Sequence, residues 1–300
     1  MKDVSVLWPD VSELTGAVKE KYIDVHGILD RCITRTTAAL NRGVRPKNIL
    51  LNSKHGLGKT LMAANVVEEL RASLKMQIPL IVFDCSEDTK EHNMKGTFTL
   101  QPDGSTMFVP GPIPLVIEMA NRTGLAVLCL EEMSALTPGA QKIVNSITDW
   151  RSGVYMQQLG KVIRLRPGAQ LIVMGTMNPS VYGGVYTLNS DLRSRFVEEV
   201  VPWPTMDQER KILRATCPSA LSDVIDRAVQ LGKDTRSSAT EYNLSTRDLV
   251  TLVDEITDMP KHLDKVLLCV ANKFEGSDRD LVADRIDAIF STKVKELIAA

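Results

Sequence analysis

The chain is 300 residues long, 44% hydrophobic and 24% charged, with a formal net charge of −1. This is the make-up of a globular protein with room for one large or two medium domains, and it provides no overall basic field to draw the chain to nucleic acid or membrane. Five cysteines (Cys32, Cys85, Cys129, Cys217 and Cys269) lack C-x-x-C spacing, so reduced, structural thiols are expected, as in a cytoplasmic protein. No apolar run reaches the ~18 residues of a membrane span, and Met1–Pro9 lacks the apolar region of a signal peptide.

In chain order, residues 1–28 read as an irregular or partly helical lead-in. Ile28 to Leu40 has helical spacing and ends near Gly43. From Asn48, short apolar strands alternate with helical runs. The strand candidates are Ile49–Asn52, Ile78–Asp84, Leu125–Leu130, Gln170–Met174 and Val197–Val201. Their near-continuous apolar character suits a sheet buried on both faces, and the alternation predicts a doubly wound parallel five-stranded α/β core. Two stretches interrupt that rhythm. Thr97–Val109 carries Pro-Asp-Gly between alternating segments, and Val154–Leu165 turns near Gly160, so each predicts an inserted β-hairpin. After Trp203-Pro204 the strands stop. Runs from Asp207, Leu221, Thr246, Leu263 and Asp278 have helical spacing, with Gly232–Tyr242 as a polar, mobile connection. The expected division is an α/β domain over 1–204 and a small α-helical domain over 205–300.

The chemistry begins at the end of the first strand, where Ser53-Lys-His-Gly-Leu-Gly-Lys59-Thr60 precedes the helix-like run from Leu61. This is a phosphate-binding loop in its expected context, strand to loop to helix. Gly56 and Gly58 let the backbone wrap an anion, and amides of Ser53, Lys54, His55, Leu57 and Leu61 lie in or beside that wrap. Lys59 is placed to neutralise the β- and γ-phosphates of ATP, and Thr60 to put a hydroxyl on Mg²⁺. Ser53 stands where such loops have their first glycine.

Leu125–Leu130 ends in Glu131-Glu132. The first acid suits the Mg²⁺ water shell, and the second suits orientation or deprotonation of the attacking water. Glu131 stands where Asp is usual, and its extra methylene moves the carboxylate by roughly 1.5 Å. Asn178, after the apolar run Leu171–Met174, is a candidate for holding the water or the γ-phosphate. Arg193 and Arg195 precede the last strand, and a guanidinium there suits a neighbouring subunit's γ-phosphate; Arg195, beside Phe196, is preferred. Ser245 is a candidate N-cap, and Arg247 in the first turn after it is a candidate phosphate ligand.

Together these residues resemble an AAA+ ATPase and, more narrowly, the MoxR branch with its CbbQ- and NorQ-type members. The resemblance runs from about Asn48 to Arg247, with its pieces in family order. Ser53–Thr60 matches Walker A, and His92–Gly96 leads into the first hairpin. Phe108–Pro112 follows, then Leu130–Glu132 as Walker B and Ile147–Val154. Gly175–Pro179 with Tyr182-Gly183 matches sensor 1, followed by Leu192–Phe196, and Ser245–Arg247 matches sensor 2. The resemblance implies a homo-oligomeric ring, a hexamer, with ATP and Mg²⁺ between subunits. It implies hairpins that pass movement to a client protein, and a partner carrying a von Willebrand A-type domain.

The hairpins leave other functions open. Tyr155–Gln158 carry little charge, which suits a polypeptide, whereas Arg151, Lys161, Arg164 and Arg166 suit nucleic-acid phosphates. Against nucleic acid stand the near-neutral charge and only 5% aromatic residues. A nucleotide-controlled assembly switch is a third reading, with Ser53 and Glu131 permitting binding while slowing turnover.

Overall fold

The computed structural model describes residues 20–179, 186–238 and 240–299. Tyr182, Gly183 and residues 1–19 of the expected lead-in lie outside the described residues. The chain forms two compact units. One holds the described residues up to Lys54 together with Lys59–Val201, and the other holds His55–Gly58 and Pro202 onward.

In the first unit, five parallel strands stand in the order β2-β5-β8-β1-β9. They are β1 (Asn48–Asn52), β2 (Leu80–Asp84), β5 (Leu125–Glu131), β8 (Gln170–Met177) and β9 (Phe196–Val200). The apolar runs alternate between two faces. Leu50, Leu128, Leu171 and Val173 join a core with Ile113, Ile117 and Val144. Ile49, Leu51, Val127, Cys129, Ile172 and Met174 join a separate core with Ile28, Met62, Val66 and Leu70. Helices therefore cover both faces, which is why these strands read as unbroken apolar runs rather than alternating ones. Neighbouring strands keep matched registers, Leu130 opposite Gly175 and Leu50 opposite Gly175 on its other side. Their C-terminal ends therefore emerge along one edge, where open α/β sheets bind ligands.

Both hairpins form. β3 (Gly96–Leu100) pairs antiparallel with β4 (Thr106–Pro110). Their turn is fixed by Asp103, which accepts hydrogen bonds from the Ser105 amide at 2.9 Å and hydroxyl at 2.6 Å, and by Gly104 at φ 79°. β6 (Gly153–Met156) pairs with β7 (Lys161–Arg164) across Gly160 at φ 58°. Phe98, Leu100, Tyr155 and Val162 are exposed on these ribbons.

The second unit is helical. Its helices Met206–Thr216, Ser222–Ser237, Thr246–Asp258, Leu263–Ala271 and Gly276–Phe290 bury a core of Leu213, Ile225, Val229, Leu249, Val253, Leu267 and Ile286. One sequence expectation fails here. Gly232–Ser237 is not a mobile connection but the last part of a helix. Thr235 is buried, and a Cβ at Gly232 would lie 2.7 Å from Leu249 Cδ1. The glycine is there for close helix packing, not for a turn. A further short helix, Val294–Ala299, lies within the expected helical region.

Candidate nucleotide site

β1 delivers Ser53 to the edge of the sheet, and Lys59 opens the helix Lys59–Leu74. Lys59 Nζ donates to the Ser53 carbonyl at 2.9 Å, the Ser53 hydroxyl at 3.2 Å, the Lys54 carbonyl at 3.1 Å and Asn178 Oδ1 at 2.8 Å. The ammonium thus sits among oxygens of the loop and of the strand-end Asn178. Ser53 shows why its departure from glycine is tolerated. It does not adopt a positive φ. Its buried hydroxyl donates to the Lys54 carbonyl at 2.8 Å while accepting from Lys59. The Ser53 amide continues the sheet by donating to the Met177 carbonyl. Thr60 follows Lys59 in the first helical turn.

Glu131 ends β5 beside Asp84, its register partner at the end of β2. Burial, with the charges of Asp84, Glu131 and Glu132 close by, pushes the Cys85 thiol up to about 12. Asp84 and Glu131 thus stand side by side at the strand ends. Among the described residues there is no cluster of three His, Cys, Asp or Glu set to chelate a metal. Glu132 is exposed and its backbone is left-handed, φ 50° and ψ 45°. Its amide donates to Thr176 Oγ1 at 3.1 Å. Sequence reading missed Thr176. Its only signal was its place inside the run Gly175–Pro179, two residues before Asn178.

The two candidate arginines are held by acids of their own chain. Arg193 pairs with Glu198 at 2.7 Å. Arg195 pairs with Asp191 at 2.9 Å and lies 3.8 Å from Asp149. Arg195 also lines a cavity of about 320 Å³ with Arg45, Asp149 and Trp150. Trp150 is 88% exposed, on a turn whose carbonyls and Ser152 hydroxyl are bound by Arg45.

In the helical unit, Ser245 caps the helix that begins at Thr246. Ser245 Oγ accepts from the Asp248 amide at 3.3 Å, and Asp248 accepts from the Ser245 amide at 2.8 Å, a capping box. Burial opposes ionisation of Asp248, but hydrogen bonds from Lys273, Ser245 and Tyr242 outweigh it and hold its carboxyl down at about 2. The start of this helix is anchored by a buried network. Arg236 makes paired bonds to Glu209 at 2.8 and 2.9 Å and donates to the Leu244 carbonyl, while Thr246 Oγ1 donates to Glu209. The loop residues of this unit belong to the same constellation. The Arg247 amide donates to the Gly56 carbonyl at 3.2 Å, and the His55 ring stacks on Tyr242 at 5.6 Å. The Arg247 side chain is exposed.

A family profile described as "AAA domain (dynein-related subfamily)" matches residues 48–196. That span begins at β1 and includes the phosphate loop, both strand-end sites and both hairpins. The chain belongs to the AAA+ family. It is 25% identical over 139 residues to Protein CbbQ of Hydrogenophilus thermoluteolus, covering 46% of this chain and 49% of that one, which fits the MoxR branch. The chain spans about half the length of the curated relatives it matches. In fold it is similar to the RuvB Holliday junction branch migration motor of Thermotoga maritima, with a TM-score of 0.51, 15% identity and coverage of 92% and 72% of the two chains. A point mutant of RuvB from the same organism gives 0.54 at 14% identity, covering 93% and 81%. Among the described residues, no helix of this AAA+ protein is long and apolar enough to cross a membrane.

Proposed function

We propose that this AAA+ protein is an ATP-hydrolysing ring ATPase of MoxR type that remodels or activates a client protein. The observation that carries the reading is a pair of hairpins with exposed Phe98, Leu100, Tyr155 and Val162 on the unit whose strand ends carry Glu131 and Asn178. These ribbons add nothing to the sheet, and apolar tips suit a polypeptide. The basic Lys161 and Arg164 lie on one ribbon only, with Arg166 just beyond it, which makes nucleic acid the weaker reading.

In this reading the loop Ser53–Leu61 wraps the ATP phosphates, and Lys59 exchanges its present oxygen partners for β- and γ-phosphate oxygens. Thr60 and Glu131 hold Mg²⁺, which supplies charge neutralisation on the phosphates. Glu132 takes the proton of the attacking water, and Asn178 orients that water. Arg195 leaves Asp191 and Asp149 to reach the nucleotide of an adjoining subunit, with Trp150 beside it on that subunit face. Arg193 is its alternate. Arg247 binds phosphate. The ring is a homohexamer, and a von Willebrand A-type partner delivers or selects the client in the cytoplasm.

The test is steady-state ATPase of wild type and Glu132→Gln with Mg²⁺, alongside oligomeric state with and without ATP. Turnover in wild type only, together with an ATP-dependent ring, supports the reading. Assembly without wild-type turnover would replace it with an ATP-controlled switch, and salt-sensitive DNA binding that stimulates turnover would replace the protein client with nucleic acid.

A further inference from the structure

β5 and β8 run in parallel register as far as Leu130 and Gly175. One residue beyond Glu131, the chain leaves the sheet through a short turn, Met133–Ala135. Glu132, at the hinge of that turn, takes a left-handed conformation that residues other than glycine disfavour. Such a conformation persists only where its surroundings fix it.

Several contacts do so. The Glu132 amide, which can no longer join the ladder, donates to Thr176 Oγ1 at 3.1 Å. Thr176 is 2% exposed, so its hydroxyl is positioned by the core and not by solvent. Its neighbour Gly175 leaves room for Met133. A Cβ there would stand 2.7 Å from Met133 Sδ and 3.0 Å from Leu50 Cδ1. Met133 is fully buried. The turn is closed by the Ala135 amide on the Glu132 carbonyl at 2.7 Å, and by the Tyr186 amide on the Ser134 carbonyl at 2.7 Å. Two residues past Thr176, just beyond the end of the same strand, Asn178 accepts from Lys59.

We propose that Thr176 is a positioning residue for ATP hydrolysis. Its buried hydroxyl pins the main chain of Glu132, aims that carboxylate at the attacking water, and ties it to the strand that carries Asn178. The inference rests on the reading of Glu132 as the residue that activates water. The effect of Thr176 passes through Glu132.

The experiment compares Thr176→Val, which keeps shape and removes the acceptor, with Thr176→Ser, which keeps the acceptor. kcat is measured together with the Kd for a fluorescent ATP analogue, in wild-type and Glu132→Gln backgrounds. Thr176→Val should lower kcat about 10- to 100-fold, as small misplacements of a reacting group do. Kd should stay within about twofold of wild type, since phosphate contacts are untouched. Thr176→Ser should recover most of kcat. In the Glu132→Gln background, Thr176→Val should leave turnover as low as in Glu132→Gln alone, because a residue acting through Glu132 has nothing left to position. Should Thr176→Val not fold, Thr176→Ala removes the same acceptor and is read the same way. With Glu132→Gln inactive, an unchanged kcat in Thr176→Val, an equal loss of affinity and kcat, or a failure of Ser to rescue would overturn the inference alone. Wild-type turnover by Glu132→Gln would overturn the role of Glu132, and this inference with it.

Discussion

Lys59 Nζ donates to Asn178 Oδ1 at 2.8 Å, joining residues 119 positions apart across the ends of β1 and β8. The phosphate loop and the candidate water-orienting side chain are therefore one connected group. A hydrogen bond from a charged donor contributes about 1.5–3 kcal/mol, so neither side chain is free to wander.

The two should separate on mutation. Lys59→Ala removes the charge opposite the phosphates and is expected to abolish ATP binding in a titration calorimeter. Asn178→Ala leaves Lys59 in place. It is expected to keep ATP affinity within a few-fold and to lose roughly 10²–10³ in kcat, the range for one aimed polar group. Equal losses in both parameters would show that Asn178 only holds Lys59.

Arg195 and Glu132 are assigned to opposite sides of a subunit interface, which makes a mixing test possible. Arg195→Ala and Glu132→Gln should each be inactive alone while still binding ATP. Mixed together, they form some interfaces with an intact Glu132 from one subunit and an intact Arg195 from its neighbour. Partial recovery of ATPase on mixing is expected. No recovery at any ratio, with mixed rings demonstrated by mass spectrometry, would argue that the arginine acts within its own subunit or not at all.

Gly56 is fixed by two independent constraints. Its φ is 70°, and an added Cβ would lie 2.1 Å from Ser245 Oγ. Gly56→Ala therefore adds roughly 1–2 kcal/mol of backbone strain and a collision with the helix cap. We expect a lower melting temperature and weaker ATP binding. The double variant Gly56→Ala/Ser245→Gly removes the collision but not the strain, so it should recover only part of the loss. Full recovery would mean that the left-handed backbone costs little here.

The Arg236–Glu209 pair is nearly sealed, with side chains 10% and 2% exposed. Glu209 also receives Thr246 at 2.8 Å, and the Arg236 guanidinium lies 4.2 Å from the Trp203 ring centre. Glu209→Ala leaves a buried guanidinium without its carboxylate and should destabilise the helical unit by about 3–5 kcal/mol. Replacing both residues by apolar ones of similar volume should be milder, because no lone charge is left. Urea unfolding of the single and double variants decides between them.

How much of this was legible in the sequence depends on what each residue responds to. Leu125–Leu130 and Leu171–Met174 read as buried strands because every position is apolar, which only a sheet covered on both faces requires. Pro102-Asp103-Gly104 showed its turn because Asp103 and Gly104 act locally. Gly232 misled for the opposite reason. Its meaning lies in Leu249, seventeen positions away in sequence, not in its own backbone. Ser53 showed only as a departure from the first glycine of such loops, because the bonds of its hydroxyl with Lys59 and the Lys54 carbonyl exist only in the folded loop. Thr176 carried no signal of its own, since what it binds is a main-chain amide exposed by a turn on another strand.

Asp248 gives a prediction in pH. Its carboxyl titrates at about 2 in the folded chain against an ordinary 3.8, because Lys273, Ser245 and Tyr242 favour the ionised form over the opposing cost of burial. The unfolded chain therefore takes up the proton first as pH falls. The stabilisation is fully present above about pH 4, declines between there and about pH 2, and is absent below. A difference of nearly two pH units corresponds to about 2 kcal/mol. Asp248→Asn should lower stability by that order at pH 7 and match wild type near pH 2. Urea midpoints for the two proteins between pH 2 and 7 would test this. A gap that stays constant across the range would mean that the loss comes from the capping geometry of Asp248 and not from its charge.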